Sequence, residues 1–435
     1  MQAVGQFSTR SGRTLLDRAV AVLRANAADR TTPSAPGVGA HLNSWSIALT
    51  AIGYAHVDPL RAAEELSYLF NGQWKNGLLP HLGFVDDATE LAVPGPRDWD
   101  SRRVPESPDG MSTSGIVHPP LHATAVLRVA NALEFDGTEF LRVMYPRLAA
   151  WHDYLLSSRV RDDVPLAEVW HPWETAMDNS PMWDAPLAAA RNSGDPTAVG
   201  LRASPDTAIG LVGLLRELDF SADRIRACGA FAVHDVMFNS MLVRAELDLS
   251  EIALRVGHNA NHHTLRSRRG ATALNRELFD PHEAWYVDRD VLSGRPLALA
   301  SASQLTPLYA GVPDPSRAAL LVDMWRAMSA PRSSPLNGMM ASADPEQREF
   351  SLTNGWRGPA WFSTNWLVHE GLRAYGYELD ASRLRNAMLS AVAREGFREH
   401  YDIFSGAGNG FDNSSCTAAI TVDLLATERL EPDVA

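Results

Sequence analysis

Lysine and cysteine are almost missing from this chain. Lys75 is its only lysine, so its positive charge rests on arginine; Cys228 and Cys416 are its only cysteines. Two such cysteines make no disulfide framework, and no pair has zinc-ligand spacing. Basic charge is also short: 39 Lys and Arg stand against 52 Asp and Glu, a formal net charge of −13. A nucleic-acid partner would have to be held against that field, so none is expected. No run approaches the roughly 18 apolar residues of a membrane span. The stretch "MQAVGQFSTRSGRTLLDRAV" lacks the apolar core of a signal peptide, so a cytoplasmic protein without a membrane partner is expected. What the chain does have is apolar mass: 45% of residues are hydrophobic and only 21% charged, enough for a large core.

Apolar residues recur with helical spacing from end to end, between loops rich in Pro, Gly, Asp and Ser. Helices are expected at Arg13 to Arg24, over "SWSIALTAIGYA", and from Pro59 with Asp58 as cap. Others are expected at 122–133, 139–157, 205–218, 221–247, 249–278, 315–328, 360–375, 381–395 and 415–427, with few strands. About a dozen helices without a linker and without a fixed repeat predict an all-α fold, an (α/α)6 barrel: a toroid of helical hairpins with its site in the loops at one end. Residues 1–40 are expected to pack on it as an N-terminal segment, and 41–435 to form a single catalytic domain. Oligomeric state is left open.

The loops carry the chemistry. Tryptophans Trp45, Trp74, Trp173, Trp183, Trp356, Trp361 and Trp366 lie among Asp, Glu, Asn, Gln, Arg and His. A sugar offers an apolar face to an indole and a ring of hydroxyls to polar groups, so a small glycoside is the expected ligand, although any one tryptophan also fits a core. Hydrolysis of a glycoside needs two carboxyl groups. "HPWETAMDNSPMWD" (171–184) offers Glu174, Asp178 and Asp184. Asp178, amid Trp173, Met177, Pro181 and Trp183, sits where desolvation would hold a proton near neutrality; Glu174 reads as a salt-bridge partner and Asp184 as a cap or turn. "FREHYD" (397–402) offers Glu399 and Asp402 beside the glycine-rich "SGAGNG", and the residues alone do not choose between them. His258, His262 and His263 cluster without a nearby carboxylate or cysteine in sequence, so no metal is expected. "GAGNG" lacks the preceding strand and following lysine of a phosphate loop, so neither is a nucleotide, and no cofactor is predicted.

From about residue 40 to 428 these segments resemble, in order, the family-63 glycoside hydrolases, and are most similar to the bacterial branch of glucosylglycerate and mannosylglycerate hydrolases. "AIGYAHVDPLRAAEEL", "GQWKNGLLPH", "SGIVHPPLHATAVLR", "HPWETAMDNSPMWD", "WRGPAWFSTNWLVHEGLRAYG" and "FREHYD" carry the resemblance together. It implies the (α/α)6 barrel and an inverting mechanism, with Asp178 as general acid and Glu399 as general base about 6.5–9.5 Å apart. Asp402 becomes a structural residue. Trp356, Arg357 and Trp361 fall on the sugar pocket, bordered by Gln73, Trp74 and His81, with Trp45, Trp173 and Asn179 beside it. Departures fall on substrate positions. Ser46 replaces an aspartate of the family's "WLWDS", His118 the glutamine of "TQPP", Gly355 a tyrosine, and Ser414, Ser415 and Cys416 an "FSW". Arg202 is the nearest match to a glycerate-holding arginine. The pattern implies an inverting hydrolase of a small glycoside other than glucosylglycerate. The alternative is a barrel turned to isomerisation, cyclisation or elimination with the same acid and base; a non-catalytic sugar binder is the third reading.

Overall fold

The computed structural model describes residues 10–38, 41–85, 94–134 and 136–427. The first nine residues of the expected N-terminal segment, together with 39–40, and the last eight of the expected catalytic domain lie outside them. The helices that organise the molecule are α1 (Arg10–Asn26), α2 (Ser44–Tyr54), α3 (Pro59–Leu69), α4 (His122–Ala132), α5 (Gly137–Ser158) and α6 (Val236–Arg255). The second half supplies α7 (Asn261–Ala273), α8 (Thr306–Tyr309), α9 (Pro315–Met328), α10 (Phe362–Ala374), α11 (Glu378–Glu395) and α12 (Ser415–Thr427). Their burial sorts them into two kinds. Every residue of α2 is buried, as are nearly all of α10 and α12, which is the signature of helices apolar all round. By contrast α1 buries the stripe Leu15, Ala19 and Leu23 and leaves its other face to solvent.

The buried kind packs in a closed cycle: α2 on α4, α4 on α6, α6 on α8, α8 on α10, α10 on α12, and α12 back on α2. The others lie outside that ring. Helix α1 covers α12, α3 covers α2 and α4, α5 covers α4 and α6, α7 covers α6, and α11 covers α10 and α12. Helix α9 packs on the turn Ala302–Leu305 that leads into α8.

The stretch 221–278, expected as helices at 221–247 in one or two pieces and 249–278, differs from expectation: its α-helices are Ala222–Cys228, Val236–Arg255 and Asn261–Ala273. The sequence reading divides 221–278 at Asp248, whereas α6 runs through it, from Val236 to Arg255. Asp248 has no capping to do, because its carboxylate is taken by Arg244 at 3.0 Å and by the Thr124 hydroxyl at 2.5 Å. The cap is Asp235, which accepts from the Phe238 amide. Strands are short, two or three residues each, and lie in the loops. One sheet joins Leu42–Asn43, Leu82–Phe84 and Ser112–Thr113; another joins Ala360–Trp361, His400–Tyr401 and Gly408–Asn409, with Trp361 opposite His400. Both sit at the N-terminal ends of inner helices. Among the described residues no helix is long and apolar enough to cross a membrane.

The ring closes tightly where α2 meets α12. A Cβ on Gly53 would stand 2.5 Å from the Ala419 Cα, so no side chain fits without the helices parting. Gly53→Val is expected to destabilise the protein by about 3 kcal/mol through overpacking, measured as a lowered urea midpoint; an unchanged midpoint would contradict this contact.

Candidate active site

A cavity of about 270 Å³ opens at the N-terminal ends of α2, α10 and α12. That is near the lower end of the roughly 300–1,000 Å³ range of ligand pockets, and confines it to a small molecule. Asp178 and Glu399 both line it, with Trp45, Ser46, His118, Trp356, Trp361 and Cys416.

Two loops aim the carboxyl groups. Asp178 follows the turn Pro172–Thr175, which ends on Ala176 in the left-handed region, φ 56°. A non-glycine residue there stores strain of order 1–2 kcal/mol. The turn is held by the Thr175 hydroxyl donating to Pro172 O at 2.7 Å and accepting from the Met177 amide at 3.1 Å. Behind it Glu174 is fully buried and takes both guanidinium arms of Arg159, at 2.7 and 2.9 Å, together with the amides of Trp170 and Val117. Glu399 follows a different device. Its amide donates to Phe411 O at 3.1 Å, and one carboxylate oxygen accepts from the Phe411 amide at 3.3 Å. Gly410 makes this return possible: its φ is +72°, and a Cβ there would lie 2.3 Å from Glu399 Oε2. Thus the glycine-rich turn brings backbone close to the carboxylate. Asp402 serves the same turn, accepting from the Phe404 and Ser405 amides.

The electrostatics separate the two acids. Asp178 is exposed where it opens onto the cavity, with protein crowded around its carboxyl group. Burial, and secondly the charge of Glu399, push its pKa up from 3.8 to about 7. Glu399 is raised from 4.5 by burial, with the Phe411 amide opposing. The imidazoles around them are neutral: burial lowers His118 to about 3 and His400 to about 4, and holds His81 well below its ordinary value. Burial also pushes the Cys416 thiol up to about 11, leaving it an uncharged wall group beside Ser46.

Trp356 and Trp361 stack face to face, centroids 3.9 Å apart and planes 9° from parallel, making one aromatic slab on the wall. Asn179, next to Asp178, secures it by accepting the Trp356 amide at 2.8 Å and donating to Asn354 Oδ1 at 2.9 Å. Gly355 lies against that same carboxamide.

Several residues expected at the sugar stand behind the wall. Gln73 donates to Gly77 O and Arg147 O, and Trp74 is buried with its indole N–H on Thr113 Oγ1. His81 bonds Ser114 Oγ and packs edge-on against His118, while Trp173 stacks on the far side of His81. Arg357 is not on the wall either: its guanidinium forks onto Asp184 at 2.5 and 2.9 Å, because Asp184 begins a short helix beside it. The unforeseen wall residues are small or apolar, Ser34, Val38, Ser363, Phe411 and Thr417. Ser34 carried no signal beyond a Pro-rich loop. It arrives because the Ser415 amide donates to its carbonyl and the Ser415 hydroxyl to Pro33 O.

The histidine cluster found in the sequence is elsewhere. His263 Nδ1 contacts Glu246 at 2.7 Å, and His152 contacts the same carboxylate at 3.0 Å; this partner, 17 residues from His263, was invisible to a local reading. His258 stacks on Tyr145.

With that geometry in place, comparison with known proteins is decisive for the family. Residues 39–417 match the model of the mannosylglycerate hydrolase MGH1-like glycoside hydrolase domain. The chain belongs to this family. MGH1-like hydrolases similar to it include a mannosylglycerate hydrolase of Rubrobacter radiotolerans, 39% identical over 94% of this chain and 96% of that one. A glucosylglycerate hydrolase of Mycolicibacterium hassiacum is 30% identical over 94% and 97%. Among solved structures, a family-63 mannosylglycerate hydrolase of Thermus thermophilus with Tris and D-glycerate is 32% identical and superposes with a TM-score of 0.84, covering 94% of this chain and 99% of that one. This MGH1-like chain is therefore a glycoside hydrolase, mostly helical like its structural relative.

Replacing Arg159 by Met leaves Glu174 buried and unpaired, so this MGH1-like hydrolase is expected to lose about 3–5 kcal/mol of stability. Chemical denaturation of Arg159→Met measures it, and a loss under about 1 kcal/mol would contradict the bracing role given to the pair.

Proposed function

We propose that the chain is an inverting glycosidase of a small glycoside, built on an (α/α)6 toroid in which residues 41–435 form one catalytic unit and 1–40 pack on it. The observation that carries this reading is the pair of carboxyl groups in one small cavity, the pKa of Asp178 pushed up to about 7 by burial and by the charge of Glu399. Two acids of different pKa can take opposite roles at the same pH. Asp178, protonated near neutrality, donates to the glycosidic oxygen as the C–O bond breaks; Glu399, ionised, takes a proton from the water that attacks the anomeric carbon from the opposite face. The Trp356–Trp361 slab offers the apolar surface on which a sugar ring rests. Its related enzymes are named for mannosylglycerate and glucosylglycerate. Ser46, Gly355 and Cys416 replace bulkier or charged groups at the substrate positions, which favours a glycoside other than glucosylglycerate.

The pH dependence follows from the two roles. Activity should fall as pH drops through the raised pKa of Glu399, above 4.5, because the base gains a proton. It should fall again as pH rises through about 7, because the acid loses one. Asp178→Asn and Glu399→Gln are each expected to cut kcat by about 10²–10⁴-fold, measured as sugar released from small glycosides. Substantial turnover in both variants would sink the assignment. Product formed without oxygen from labelled water would point instead to rearrangement or elimination by the same pair.

A further inference from the structure

The wall of the cavity carries two carboxyl groups and, among the described residues, no lysine or arginine. The stretches between 14 and 427 that are not described add none, since 39–40 is Gly-Ala, 86–93 is DDATELAV and 135 is Phe. The arginines adjoining the wall in sequence are already engaged. Arg357, next to Trp356, is forked onto Asp184; Arg398, next to Glu399, pairs with Asp412 and donates to Glu395 O. Arg202, the arginine most similar in position to a glycerate-holding one, spends its guanidinium on the carbonyls of Ser193 and Asp195. His118 is held neutral by burial and accepts the Trp45 amide on Nδ1.

Of the three helix N-termini at the cavity, the other common source of anion binding, α2 and α12 are capped, while α10 carries no side-chain cap. The Ser46 amide of α2 donates to Asn43 Oδ1, and in α12 the Ser415 and Thr417 amides donate to Ser34 O and Ser414 Oγ. Beside the two carboxyl groups and the neutral His118, the cavity is faced by hydroxyl, thiol, carboxamide, aromatic and alkyl groups, among them Ser34, Ser46, Cys416, Asn43, Trp361 and Leu49.

An anion entering this space would meet the charge of Glu399 with no counter-ion, and an unpaired charge in a walled site is strongly disfavoured. A glycerate group carries such a charge. We infer that the substrate is an electrically neutral glycoside, its aglycone a small alcohol or polyol held by hydroxyl groups. This inference rests on the hydrolase reading above and deepens it by fixing the charge of the leaving group.

The test compares matched pairs differing in a single group, 2-O-glucosyl and 2-O-mannosyl glycerol against the corresponding glycerates. With wild-type enzyme at neutral pH, kcat/KM for the neutral member should exceed that for the glycerate by about a hundredfold or more. Equal turnover of the glycerates, or a preference for them, overturns the inference. Calorimetric binding of the same four compounds to Asp178→Asn separates charge selection from chemistry, and a glycerol glycoside should bind while its glycerate does not. If the neutral compounds bind selectively but wild type never hydrolyses them, the hydrolase reading fails and the charge assignment stands. If none of the four binds, the charge assignment fails.

Discussion

Glu174 accepts four hydrogen bonds deep in the protein, two from Arg159 and one each from the amides of Trp170 and Val117. A buried carboxylate tolerates so little hydration only because its lone pairs are used this fully. The guanidinium that serves it lies 3.8 Å over the Trp170 ring, so an aromatic face adds to the pairing. This one cluster fixes the loop after α5, the turn that ends at Ala176 and the strand-like approach to His118. Asp178 and His118 are thereby both placed on the wall of the same cavity. Without that brace the acid would hang on a long irregular loop, and the strained φ of Ala176 would be held only by the local bonds of its own turn.

The rest of the site depends on exclusion. Trp45, Trp356, Trp361 and the neutral His118 wall the cavity onto which Asp178 opens, and the protein crowded around that carboxyl group, with the charge of Glu399, raises its pKa. Glu399 is raised by burial too, but the Phe411 amide, which Gly410 lets approach its carboxylate, opposes that rise. In the proposed reading one recess sets two carboxyl groups to different protonation states, and the lack of lysine and arginine on its described wall disfavours an anionic ligand. A cation on the wall would lower Asp178 and accept a carboxylate at once, so acid strength and substrate charge are linked here.

Much of this was legible in the chain. Helical spacing and its breaks located most helices, since each had to bury a stripe or a whole surface. The acid motif 171–184 stood out because so dense a mixture of Trp, Pro and carboxylate has no packing period, and Glu174 read as a brace. The boundary at Asp248 misled because an aspartate that would cap a helix in isolation instead pairs with Arg244 and Thr124, partners one turn and two helices away. Arg357 read as a pocket residue and is forked onto Asp184, 173 residues distant; Trp74, Gln73 and Trp173 read as rim and stand behind it.

The division has a physical basis. Burial patterns, turns and the chemistry of a motif depend on neighbours within a few residues, so the sequence by itself determined a helical fold and the candidate acids, Asp178 with Glu399 or Asp402. Which polar groups are free to meet a ligand depends on partners drawn from distant segments. Only the tertiary structure decided that Arg357, Arg398 and Arg202 are engaged, that Ser34 reaches the wall, and that no lysine or arginine lines the cavity among the described residues.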